Sequence, residues 1–120
     1  MTKALTLALK KKWFDMIKAG IKKEEYRECS DYWIRRFEKL CREFEYVFLG
    51  HPGMIDERKK MISASGLKCD RIVFTSGYPK SNDNERRLEF KNPKIRIGTG
   101  FPEWGAQPMK LYFVITWEHN

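Results

Sequence analysis

Between Leu5 and Arg27 the apolar pattern of this chain changes period, and a single glycine, Gly20, marks the change. Leu5, Leu7 and Leu9 alternate with Thr6 and Ala8, the period of a strand with one buried face. Lys10-Lys11-Lys12 ends that run. Trp13, Met16, Ile17 and Gly20 then recur at helical spacing, which predicts a short helix over about residues 11–19. Glycine at its end fits, because that position favours a positive φ. The segment Ile21–Arg27 reads as a second strand with charged residues on its exposed face. Helix and sheet are therefore interleaved from the start of the chain.

The same reading continues downstream. Ser30 is a good N-cap with Asp31 placed against the helix dipole, and Trp33, Phe37, Leu40, Cys41 and Phe44 follow on one helical stripe. Tyr46–Leu49 reads as a short buried strand, and residues 52–66, from Pro52 to Gly66, as a further helix. Strands are expected at Arg71–Thr75, Leu88–Lys91 and Ile95–Ile97, with a last strand in which Leu111, Phe113, Ile115 and Trp117 alternate with Tyr112, Val114 and Thr116. The pattern implies an α+β chain: a small mixed β-barrel of about six strands with two or three helices packed outside it. At 120 residues it is long enough for one continuous core, so a single domain over residues 1–120 is expected.

The formal charge of +8 is spread evenly. Residues 1–45 and residues 46–120 each carry 12 Lys or Arg against 8 Asp or Glu. A basic folded surface without a basic tail favours salt-sensitive approach to a polyanion such as RNA. Cys29, Cys41 and Cys69 are odd in number and scattered, and only His51 and His119 could add imidazole, so neither a disulfide framework nor a metal site is expected. No cofactor is expected either. No apolar run approaches the roughly 20 residues of a membrane span, and the expectation is a soluble, cytoplasmic protein without a membrane partner. Gly98-Thr99-Gly100 lacks the third glycine and the following helix of a dinucleotide fingerprint, and it reads as a tight loop.

Gly20-Ile21-Lys22-Lys23-Glu24-Glu25-Tyr26-Arg27 contains the spacing Gly-x-Lys-x-x-Glu-x-Arg. After an alternating strand and a short helix, that motif resembles the signature of the ASCH domain, a small barrel of the PUA-like superfamily. The resemblance extends to Trp13-Phe14 and Met16-Ile17 on the first helix and to Trp33 and Arg36 on the next, and it is looser beyond residue 50. Residues 52–66 look like a helical insertion relative to the smallest members. The family is associated with RNA, and the resemblance implies that Lys22, Glu25 and Arg27 face a cleft beside the first helix.

Two classes of function follow. One is an RNA- or nucleotide-binding module in which Lys22, Lys23, Arg27 and Arg36 hold phosphate, Glu25 tunes the site, and Trp33, Tyr78 or Trp104 stacks a base. The other is a hydrolase acting on RNA or a modified nucleoside, with Lys22 and Glu25 as the catalytic pair. Among similar proteins the acetylcytidine amidohydrolases carry a threonine nucleophile where this chain has Glu25, and a carboxylate replaces that hydroxyl poorly. A protein partner is a further alternative. A purely structural alternative makes Lys22, Glu25 and Arg27 an ion-pair cluster that orients the helix against the barrel. An exposed Lys22 could be lost for less than about 1 kcal/mol of stability, whereas a buried one could not.

Overall fold

The computed structural model describes residues 4–40 and 55–118. In chain order they form β1 (Ala4–Leu9), α1 (Lys11–Lys18), β2 (Glu25–Glu28), α2 (Asp31–Glu38), α3 (Ile55–Ser65), β3 (Arg71–Ser76), β4 (Arg87–Gly98) and β5 (Tyr112–Glu118). Single 3-10 turns lie at Asn84–Arg86 and Pro102–Trp104. The strands make one curled, half-barrel sheet in the order β1-β3-β4-β5-β2. β1 and β3 are parallel and the other neighbours antiparallel. The architecture is mixed α+β, with five strands and three helices among the described residues.

Local sequence explains most of these boundaries. At the end of α1, Gly20 takes φ +76°, its N–H donates to the Ile17 carbonyl at 3.0 Å, and the Ile21 N–H donates to Met16 at 2.9 Å. That is a Schellman cap. The Lys22 N–H also goes to Met16, at 3.1 Å, so two amides that could have opened a strand are already used. β2 consequently starts at Glu25 and not at Ile21. The Ser30 side chain accepts from the Trp33 N–H and caps α2.

The expected strands Leu88–Lys91 and Ile95–Ile97 are one element, β4. The ladder with β5 slips between Lys91 and Lys94, where Asn92 adopts φ 52° and Pro93 has no N–H to donate. A bulge carries the strand through instead of ending it. The last strand starts one residue later than its alternation suggests, at Tyr112, and Leu111 is 57% exposed. The helix expected over 52–66 runs Ile55–Ser65, and Cys41, Phe44, the strand Tyr46–Leu49, His51 and His119 lie outside the described residues.

The core lies on one face of the sheet. Leu5, Leu7 and Leu9 of β1, Ile72 and Phe74 of β3, Ile95 of β4 and Phe113, Ile115 and Trp117 of β5 meet Phe14 and Ile17 of α1, Ile34 and Phe37 of α2 and Ile62 of α3 in one cluster. All three described helices pack against the sheet through that core. Aromatic contacts carry much of it: Phe37 meets Phe113 at a centroid distance of 5.1 Å and Phe74 meets Trp117 at 4.8 Å, both edge-on. Each such ring, fully buried, contributes about 1.5–3 kcal/mol. α3 is fastened to α2 by an ion pair between Arg58 and Glu38. On the other face, Tyr26, Tyr112 and Val114 form a smaller cluster with Ala106, against which Trp104 packs. Among the described residues no helix is long and apolar enough to cross a membrane.

Candidate functional site

β1 and β2 are the two edges of the sheet, and side chains rather than a ladder join them. The Leu9 carbonyl accepts from the Gly77 N–H just beyond β3, so Leu5, Leu7 and Leu9 turn their backbone groups toward β3. Backbone groups of successive strand residues face opposite edges. Those of Thr6 and Ala8 therefore face the seam toward β2. There the Ala8 carbonyl accepts from Arg27 Nη2 at 3.0 Å and the Thr6 carbonyl from Arg36 Nη2 at 2.7 Å.

An open cleft of about 620 Å³ lies over this seam, within the usual range of about 300–1,000 Å³ for small-ligand sites. Its floor is Thr6 and Ala8 of β1, with Thr75 of β3 directly opposite Ala8 and Arg87 of β4 opposite Thr75. One wall is α2, which presents Tyr32, Trp33 and Arg36, and the facing wall is Tyr78-Pro79 in the loop after β3. Arg87 holds that loop, donating to the carbonyls of Lys80 and Asp83 at 2.7 Å each and of Pro79 at 3.3 Å. No acidic side chain lines the cleft among the described residues.

The aromatic groups differ in what they can still contact. Trp33 has the guanidinium of Arg27 at 5.0 Å and that of Arg36 at 5.1 Å over its ring, and it stacks on Phe37 at 5.5 Å. Its faces are spoken for. Tyr78 is 96% exposed, and Tyr32, which meets the Trp33 ring edge-on at 4.9 Å, is 62% exposed.

Behind the cleft lies a buried ionic relay. Register places Glu25 opposite Ile115 and Arg27 opposite Phe113, on the core face of the sheet. Glu25 gives one carboxylate oxygen to Arg27 at 2.9 Å and the other to Lys22 at 3.1 Å. Lys22 is only 1% exposed and Glu25 4%. The Lys22 ammonium also donates to the Trp104 carbonyl at 2.7 Å and lies over the rings of Trp13 at 5.2 Å and Tyr26 at 4.9 Å. Burial pushes its pKa below the usual lysine range, opposed chiefly by the attraction of Glu25. Arg27 Nε is buried with no hydrogen-bond acceptor among the described residues.

Of the residues expected at a ligand site, Arg27, Trp33, Arg36 and Tyr78 are brought together in the cleft. Lys22 does not line it. The turn that leaves α1 carries Lys22 inward beneath Trp13 and Tyr26, with Glu25 between it and Arg27. Trp104 sits beyond Lys22, edge-on to Phe101 at 4.9 Å and against the Tyr26 cluster, and Lys23 is exposed on the turn before β2. The glycine loop packs rather than cradles: a Cβ at Gly100 would lie 2.5 Å from the Tyr26 ring. Tyr32, Thr75 and Arg87 were missed. Tyr32 carried a signal, an exposed aromatic beside a helix start, but Arg87 joins the site only through the β1–β3–β4 register.

No family model matches this chain, and no curated protein and no solved structure does.

Proposed function

We propose that this chain is an RNA- or nucleotide-binding domain of ASCH type that holds its ligand in the seam cleft between β1 and β2. One observation carries the reading: Arg27, Arg36 and Arg87 meet the exposed rings of Tyr32 and Tyr78 in a single cleft that no acidic side chain lines among the described residues. Guanidinium groups suit phosphate oxygens, and unburied tyrosines suit the faces of unstacked bases. The formal charge of +8 adds a general attraction for a polyanion. The resemblance of residues 20–27 to the ASCH motif supports the same class of ligand, and a cytoplasmic site of action is part of the proposal. Within it, Lys22 and Glu25 position Arg27 and do not themselves touch ligand.

A hydrolase built on Lys22 and Glu25 has less support. Both oxygens of Glu25 are taken by cations, and Lys22 and Glu25 are buried away from the cleft. A general base has to reach the proton it abstracts.

Fluorescence anisotropy with short single-stranded RNA, repeated at rising salt, tests the proposal. Binding should weaken with a log–log slope of about −2, as expected when about three phosphates of a single strand are neutralised. Arg36→Glu should abolish it. Retention of full affinity by that variant, or no binding even at low salt, refutes the reading.

A further inference from the structure

We infer that the seam cleft selects a terminal phosphomonoester, the phosphate of a mononucleotide or of a free RNA end, over the internal phosphodiesters of a chain. The inference rests on the nucleotide-binding reading above and narrows it to one kind of phosphate.

Charge balance is the first ground. Arg27 is compensated by Glu25 at 2.9 Å. Arg36 and Arg87 have backbone carbonyls as their hydrogen-bond acceptors and, among the described residues, no carboxylate partner. The cleft thus offers two uncompensated positive charges. A phosphomonoester carries about −1.5 to −2 at neutral pH, with its second pKa near 6, and an internal phosphodiester carries only one negative charge.

Preorganisation is the second. Arg36 is tied to the Thr6 carbonyl at 2.7 Å and Arg87 to three carbonyls of the Tyr78 loop, so neither guanidinium must be ordered when an anion arrives. Each guanidinium has five N–H donors, and these bonds leave donors over. The N–H groups of Thr6 and Ala8 face the same seam and add neutral donors at the floor, since they turn the same way as the carbonyls that Arg36 and Arg27 reach. A dianion with three unesterified oxygens uses several donors in one cleft better than a phosphate esterified on two sides.

The aromatic walls make the ligand a nucleotide rather than any phosphate. Tyr78 and Tyr32 expose their rings beside the arginines, so a base can stack while its own phosphate is held.

The test compares three short RNAs of one sequence, carrying a 5′-phosphate, a 3′-phosphate or only hydroxyl ends, on the wild-type protein by anisotropy. At least one phosphorylated form should bind about tenfold more tightly than the hydroxyl-ended form. That advantage should shrink as pH falls through about 6, where the second phosphate proton returns. A nucleoside monophosphate should compete where the nucleoside does not. Arg36→Gln and Arg87→Gln should reduce the advantage, and if Arg87→Gln does not fold, the wild-type comparison and its pH profile decide alone. Equal binding of all three RNAs overturns this inference and leaves RNA binding standing, whereas absence of binding by every RNA and nucleotide overturns both. A phosphoserine peptide that competes as well as the mononucleotide overturns the inference too, because the tyrosines would then contribute nothing.

Discussion

The guanidinium of Arg27 on β2 donates to the carbonyl of Ala8 on β1 at 3.0 Å, so a side chain spans the gap that a ladder would otherwise have to close. Glu25 holds that guanidinium from behind, and Lys22 holds Glu25. Loss of Lys22 is therefore expected to damage the fold, at variance with the small cost of removing an exposed charge. Lys22→Ala should cost about 3–5 kcal/mol in urea denaturation, and Lys22→Met, which equally leaves Glu25 with Arg27 but fills the space of the lysine stem, should cost less. A loss below about 1 kcal/mol for Lys22→Ala would contradict the buried relay.

The same lysine sets a pH dependence. Its pKa is lowered by burial in the folded protein and returns to 10.5 on unfolding. Between those values the unfolded chain binds the extra proton, so this contribution to stability rises with pH up to 10.5 and is lost as pH falls through the folded value. Tyr26 acts in the opposite sense, because burial raises its hydroxyl above the usual 10.0. Above pH 10 the unfolded chain ionises first and stability falls. Urea midpoints from about pH 7 to pH 10 should move in favour of wild type relative to Lys22→Met, and Tyr26→Phe should soften the decline above that range. A flat difference between wild type and Lys22→Met excludes the Lys22 contribution.

Tyr78 separates binding from folding most cleanly. At 96% exposure its side chain packs on almost nothing, and Tyr78→Ala should leave stability within about 0.5 kcal/mol. RNA affinity should fall by about 1–3 kcal/mol if the ring stacks a base. Trp104→Phe, on the other side of Lys22, should leave RNA affinity unchanged.

Cys29 is a free thiol whose pKa burial raises, and the scattered cysteines of the chain are expected to stay reduced. Thermal melts with and without reductant should coincide. A lowered midpoint in reductant would reveal a disulfide that the fold does not lead one to expect.

Elements governed by neighbours in sequence were legible beforehand. The α1 stop at Gly20 and the Ser30 cap follow from three or four adjacent residues, and both form. Lys22 was misplaced because its burial depends on the Trp104 carbonyl, 82 residues away, which no alternation encodes. Arg87 went unnoticed for the same reason. It reaches the cleft only because Ala8 pairs with Thr75 and Thr75 with Arg87, a row fixed by register across three strands. Trp33, in contrast, was found by its helical position, yet two guanidiniums already lie over its ring.

The coverage of β1 by Arg27 and Arg36 bears on how copies of this protein behave at high concentration. A bare edge strand offers unpaired carbonyls and amides to any extended chain that meets it, and such edges seed intermolecular β-structure. Here two acceptors of the β1 edge are already occupied, and Arg36, which has no carboxylate partner among the described residues, adds a positive charge that repels a second copy of the same basic protein. Arg27 and Arg36 thus guard against self-association, and replacing both with neutral residues would open a template for aggregation at the very seam where the cleft lies.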